Sequence, residues 1–235
     1  MRTTTRSIPF ALLLTLTAPL AADQVSGMAK WDGPPVRRQP VRMDADPKCL
    51  ELHEGGEDLS PKLLVGEKGG IQNVFVYVED GAGIAGAGDT EPPSDPIVLT
   101  QHGCWYEPRV MGIHAKQTLS IVNDDPTLHN VRSLAKTNRP FNIGQPPEQP
   151  PRNKTFPLPE NAIKFKCDVH PWMEAYIFVL DHPFWAVTDD SGAFTIDGLP
   201  AGKHTLVAWH EAFGERETEV EVSGETGGVS FSFSP

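Results

Sequence analysis

Basic residues are scarce in this chain: 20 Lys and Arg stand against 31 Asp and Glu, a formal net charge of −11 over 235 residues. A surface so acidic excludes nucleic-acid or anionic-lipid binding through bulk electrostatics. Cysteine is also rare. Three are too few for a disulfide-framework scaffold, and the odd count leaves one thiol over after pairing. No window carries a sustained helical apolar stripe, which argues against a helical bundle. No Ser-His-Asp order, phosphate loop or paired-carboxylate motif is found, so no enzymatic activity is expected.

A long apolar run is missing too. Residues 8–18 are mostly apolar but too short for a comfortable membrane span. They follow Arg2 and Arg6 and precede the small residues Ala21 and Ala22, so residues 1–22 read as a secretory signal peptide. Its removal takes away two arginines and no acids, and the net charge becomes −13. The mature protein is expected in the periplasm, where its charge would either steer it to a basic partner or serve solubility alone.

What the chain does have is glycine (21), proline (23) and alternating apolar segments. Residues 72–78, 118–122, 175–180, 193–196 and 217–222 show the period-two pattern of half-buried strands. The expected fold class is all-β, with sandwich layers. Residues 81–96 read as a small-residue loop. Residues 140–159, with seven prolines, read as a semi-extended loop without regular pairing. The acids Glu51, Glu54, Glu57 and Asp58 read as a solvated segment.

An oxidising compartment favours a disulfide. Pairing Cys49 with Cys104 leaves Cys167 free, whereas pairing Cys104 with Cys167 would remove that thiol from any chemistry. Cys167 heads the most informative stretch, Cys167-Asp168-Val169-His170-Pro171-Trp172-Met173, and His129 lies 38 residues upstream. One thiolate, two imidazoles and a thioether form the ligand set of a blue-copper electron-transfer site: two His and one Cys in the plane, a weak Met on the axis. Each residue alone has a bland explanation. A lone Cys is usually a small buried hydrophobe. Jointly, at this spacing, they point to one copper ion. Zinc is the metallic rival, since Cys and His also suit it; the Met favours copper. Strands flank the loop on both sides, which would keep it rigid through a change of copper oxidation state.

Residues 106–180 resemble the cupredoxins, the small blue copper proteins, in their amicyanin-like and plastocyanin-like branch. The likeness rests on the short Cys167-x-x-His170-Pro171-aromatic-Met173 loop, on Tyr106-Glu107-Pro108, on Leu119-Ser120-Ile121-Val122-Asn123 and on His129-Asn130-Val131. It implies a Greek-key sandwich with copper at one end and one-electron transfer as the activity. It further implies His129, Cys167 and His170 as equatorial ligands, Met173 as the axial one, and Asn130 as a tie between the two ligand segments. Pro171 has no N–H and cannot donate to the Cys167 sulfur, which leaves Val169 as the expected nearer donor. By the same resemblance the edge of His170 should reach the surface. Trp172 either joins an apolar rim for a partner or packs inward.

The chain beyond residue 182 carries Thr188-Asp189-Asp190-Ser191-Gly192-Ala193-Phe194 and Leu199-Pro200-Ala201-Gly202-Lys203-His204-Thr205-Leu206. These turns resemble those of carboxypeptidase regulatory-like (transthyretin-like) β-sandwich modules, which carry no chemistry themselves. Such a module starts with a strand like residues 26–31, here at the far end of the mature chain. The organisation is therefore read as a copper domain over 97–182 inserted into a second small β-sandwich made of 23–96 and 183–235; two consecutive domains are the simpler alternative. His210 could approach a site between them, and the other histidines read as structural or surface residues. The leading function is a periplasmic electron carrier between redox partners, such as a basic cytochrome or a dehydrogenase. The alternatives are a non-redox copper-binding protein, disfavoured by only five methionines, and a β-sandwich interaction module.

Overall fold

The computed structural model describes residues 23–54, 58–79, 81, 84 and 91–235. The expected signal peptide and half of the 81–96 loop lie outside the described residues, as does Glu57. In chain order the strands are β1 (Gln24–Trp31), β2 (Pro40–Val41), β3 (Asp58–Leu59), β4 (Phe75–Val78), β5 (Ile97–His102), β6 (Trp105–Glu107), β7 (Val110–His114), β8 (Thr118–Asn123) and β9 (His129–Ser133). They continue with β10 (Asn142–Gln145), β11 (Arg152–Thr155), β12 (Glu160–Lys166), β13 (Glu174–Leu180), β14 (Trp185–Val187), β15 (Ala193–Asp197), β16 (Gly202–His210), β17 (Gly214–Val222) and β18 (Glu225–Phe233). One short helix, α1 (Pro47–Leu52), interrupts them.

The chain is nearly all β. Four main sheets have the orders β11-β8-β5-β6, β10-β9-β12-β13-β7, β14-β4-β16-β17 and β15-β1-β18. Three apolar layers separate them. Leu99, Leu119, Ile121, Ile163, Phe165 and Ile177 fill the layer between the first two sheets. Phe75, Tyr77, Val110, Phe178 and Val207 fill the middle layer. Val25, Val76, Phe194, Leu206 and Phe233 fill the third.

The sequence period explains the stacking. In β13, Ala175, Ile177 and Val179 point into the first layer, while Phe178 and Leu180 point into the middle one. In β4, Phe75 and Tyr77 face the middle layer, and Val76 and Val78 the third. A strand apolar on both faces has to be covered on both. The rings of Phe75 and Phe178 stack at 4.0 Å across the middle layer. Burying each such side chain stabilises the fold by about 1.5–3 kcal/mol. Close approach is secured at Gly112 in β7: a Cβ there would lie 2.6 Å from the Trp185 ring.

The connectivity is not consecutive. β1 pairs with β15 and β18, and β4 pairs with β14 and β16. The N-terminal strands thus sit in the same sheets as the C-terminal ones, and β5 to β13 form the other two sheets.

One expectation is corrected and another refined. The proline-rich stretch 140–159 contains two strands. β10 pairs with β9, and β11 pairs with β8. The prolines fall outside Asn142–Gln145 and Arg152–Thr155, and each strand lies at the edge of its sheet, where proline neighbours are tolerated. In the acidic segment Glu51 and Glu54 are exposed, as expected of a solvated stretch, while Asp58 is half-buried. Asp58 accepts a hydrogen bond from Trp105 Nε1 at 2.7 Å.

Candidate metal centre

Strand pairing brings the ligand segments together. β9 and β12 run antiparallel, with Phe165 opposite Ser133 and Lys166 opposite Arg132. Continuing that register places His129, at the start of β9, level with the loop that follows β12. That loop, residues 167–173, is closed by its own backbone. The Cys167 N–H donates to Met173 O at 3.2 Å, and the Met173 N–H donates to His170 O at 3.0 Å. β12 and β13 clamp both ends.

The structure brings His129, Cys167 and His170 into one cluster, with their ligand atoms all within 4.8 Å of one another. All three are buried, His129 and Met173 completely. The two Nδ1 atoms lie 2.8 Å apart, and His170 Nδ1 is 3.8 Å from Cys167 Sγ. Two imidazole nitrogens that close need a proton between them, since two lone pairs repel. A cation placed among the three donors would displace that proton.

Burial alone would push the Cys167 thiol up. Hydrogen bonds from His129 and His170, and from the N–H groups of Asn130 and His170, overcome it and hold the pKa down at about 6. Burial likewise opposes charge on His129, but the Asp125 carboxylate and Cys167 outweigh it and raise its pKa. Both shifts favour a thiolate beside an imidazolium, a charge pattern that a soft cation can replace.

Asn130 joins the two segments. Its Oδ1 accepts from the Asp168 N–H at 2.6 Å and lies 3.3 Å from Cys167 Sγ. Its own N–H points at the sulfur at 3.5 Å, and its carbonyl accepts from the Tyr106 hydroxyl. The second N–H to sulfur comes from His170, at 3.3 Å. Val169, the donor expected from sequence, is exposed, and the sulfur is served by Asn130 and His170 instead. Pro171 lies exposed on the outer side of the loop.

The pairing of the three cysteines is settled as well. Cys49 and Cys104 form a disulfide, and Cys167 is free and buried. The disulfide fastens α1 against the metal end of the sandwich. This overturns the expected solvent-facing edge of His170, which is only 1% exposed. Its Nε2 lies 2.9 Å from Asp46 Oδ2, just ahead of α1. His129 Nε2 meets Asp125 Oδ2 at 2.8 Å. Sequence reasoning missed both carboxylates. Asp125 stands four residues before His129, which was a usable signal. Asp46 was legible only as a helix cap, since Asp-Pro is a helix-start pair.

Trp172 packs inward in part. Its Nε1 donates to Cys104 O at 3.0 Å, and its ring contacts His170 at 5.1 Å between centroids. Its other side lines a groove with Val41, Trp105 and Pro171. His210 is not part of the cluster. It stacks on Phe213, and burial, with Arg109 nearby, lowers its pKa to about 4.

Comparison with known proteins gives the following. The family described as polysaccharide lyase family 4, domain II, matches residues 162–228. That domain is a fibronectin-like β-sandwich. No curated protein matches the chain in sequence. Among solved structures, a copper-containing nitrite reductase from Thermus scotoductus SA-01 is 20% identical over 38% of this chain, at a TM-score of 0.34; the match spans only 25% of the reductase. An oxidised proline-to-alanine mutant of amicyanin is 23% identical over 36% of this chain and 81% of its own, at 0.31. A purple cupredoxin from Nitrosopumilus maritimus is 22% identical over 37% of this chain and 99% of its own, at 0.30. The chain is a nearly all-β protein of several sheets.

Proposed function

We propose that the chain is a type 1 copper protein that carries single electrons between redox partners in the periplasm, and that it is not an enzyme. The observation that carries this reading is the buried His129–Cys167–His170 cluster, with its thiol held ionised near neutral pH. Two imidazoles and a thiolate suit copper in both oxidation states, and Met173, buried on the same loop, would supply the thioether. Bound copper supplies reversible one-electron exchange. The protein supplies the rest. Asp125 and Asp46 hold the outer nitrogens of the two rings, Asn130 ties the Cys167 segment to β9, and burial keeps water from the donors.

Among the described residues no helix is long and apolar enough to cross a membrane. The acidic charge fits a basic partner, such as a cytochrome or a dehydrogenase. The second sandwich is read, by its turns, as a carboxypeptidase regulatory-like module without chemistry of its own.

The test is to add Cu(II) to the purified protein and record visible and EPR spectra beside those of Cys167→Ser. An intense thiolate-to-copper charge-transfer band, lost in the variant, is expected. A colourless wild-type complex, or a zinc preference with no visible band, would overturn the reading.

A further inference from the structure

Asp46 lies 124 residues from His170 in sequence, yet its carboxylate is in the wall of the metal centre. Its two oxygens do different work. Oδ1 accepts the Lys48 N–H at 2.8 Å and so caps α1. Oδ2 accepts the Thr127 hydroxyl at 2.8 Å and meets His170 Nε2 at 2.9 Å. A helix cap needs one oxygen only. The second, oriented by Thr127, is aimed at the ring. A carboxylate can only accept, so His170 must carry a proton on Nε2, which leaves Nδ1 as the nitrogen that faces the donor cluster, 2.8 Å from His129 Nδ1 and 3.8 Å from Cys167 Sγ.

The surroundings hold this arrangement in place. Met43 is buried in the first core, and the Asp46 N–H donates to its carbonyl at 3.1 Å. The Cys49–Cys104 disulfide fixes α1 from the other side. The Cys104 N–H donates to Asp125 Oδ2 at 2.7 Å, the same oxygen that holds His129 Nε2. The disulfide therefore links the supports of both imidazoles. The sulfur of Cys49 lies within 4.8 Å of a His170 nitrogen, and that of Cys104 within 4.8 Å of a His129 nitrogen.

We propose that Asp46 is a positioning residue of the metal centre: it fixes the tautomer and orientation of His170, closes the edge of that ring to water, and places a negative charge that favours the more highly charged metal. The inference rests on the copper reading above. A carboxylate on the outer nitrogen of a ligating imidazole makes the ligand more basic, and its loss typically costs 10–100-fold in metal affinity. Attraction to Cu(II) exceeds attraction to Cu(I) in proportion to charge, so the pair lowers the reduction potential.

Two variants separate positioning from mere capping. Asn is as good a helix cap as Asp, so Asp46→Asn keeps α1 and a neutral acceptor while removing the charge. Competition titration against a chelator should show Cu(II) affinity down by roughly tenfold or more, with Cu(I) affinity changing less and the potential raised. The melting temperature of the metal-free protein should stay put. Unchanged Cu(II) affinity and potential would reduce Asp46 to a helix cap and overturn the proposal. The second readout needs no copper. In the metal-free wild type the His170 Nε2 proton should exchange slowly by NMR, and Asp46→Ala should lose that protection. Equally fast exchange in both would also overturn the proposal. This ring-proton result stands apart from the copper reading, which fails if wild type gains no charge-transfer band with Cu(II).

Discussion

Asn130, a buried residue, uses both ends of its side chain: Oδ1 accepts from the Asp168 N–H of the Cys167 loop, and Nδ2 donates to Asn142 Oδ1 on β10 and, at 3.5 Å, to Asp168 Oδ2. Asn130→Ala removes the partner of the Asp168 N–H, which on an exposed residue costs about 0.5–1.5 kcal/mol. Thermal melts of the metal-free protein should register that loss, and a variant as stable as wild type would show that the tie is idle. His210 supplies a pH signature. Its folded pKa of about 4 lies below the unfolded 6.5, so the unfolded chain binds more protons between those values. Its contribution is complete above pH 6.5 and is lost as pH falls toward 4, by up to ~3 kcal/mol. Urea titrations of metal-free protein should therefore show a steeper acid loss for wild type than for His210→Phe. Equal slopes would sink this account. At this scale, the donors of the centre were legible because Cys167, His170 and Met173 fall on one short loop. Asp46 was not, because nothing local to residue 46 refers to residue 170; only the tertiary fold joins them.

Elements were legible where the period was clean. β8, β13, β15 and β17 follow from alternation alone. β10 and β11 were hidden because proline counts describe a stretch, whereas pairing depends on which N–H groups remain between the prolines. α1 was hidden by its length, since six residues cannot show a helical stripe. Its consequence is functional. With α1 and Asp46 over the His170 edge, the loop offers one other conjugated route outward. The Trp172 ring touches His170 and borders the groove of Trp105 and Pro171. Trp172→Leu should leave the potential nearly unchanged and slow electron exchange with a small anionic oxidant, read by stopped flow. An unchanged rate would mean that electrons leave elsewhere. Removing the staple is a separate matter. Replacing both Cys49 and Cys104 by Ser opens a loop of 55 residues and should cost about 2–5 kcal/mol in the unfolding free energy.

At the scale of the whole molecule, the four sheets share three cores, so neither sandwich has an outer face of its own on the inner side. The middle layer of Phe75, Phe178 and Val207 belongs to both. Sequence alone could show that strands such as β4 and β13 are apolar on both faces, but not which sheet covers which. One ion pair crosses beside this layer. Arg109, between β6 and β7, meets Glu211, between β16 and β17, through two nitrogens at 2.5 and 2.7 Å, and its third nitrogen donates to Glu174 O. Both side chains are at least nine-tenths buried. Breaking such a pair from one side leaves a bare buried charge and costs about 3–5 kcal/mol, whereas replacing both partners with apolar groups is often neutral. Arg109→Met should therefore lower the urea midpoint sharply, and adding Glu211→Leu should recover most of it. Because the middle layer is shared, the loss should strike both sandwiches together. Near-UV dichroism and Cys167 alkylation, followed through the same titration, should move at one midpoint in wild type and at one lower midpoint in Arg109→Met. Two separated midpoints in wild type would mean that the sandwiches unfold independently and that the shared layer does not couple them.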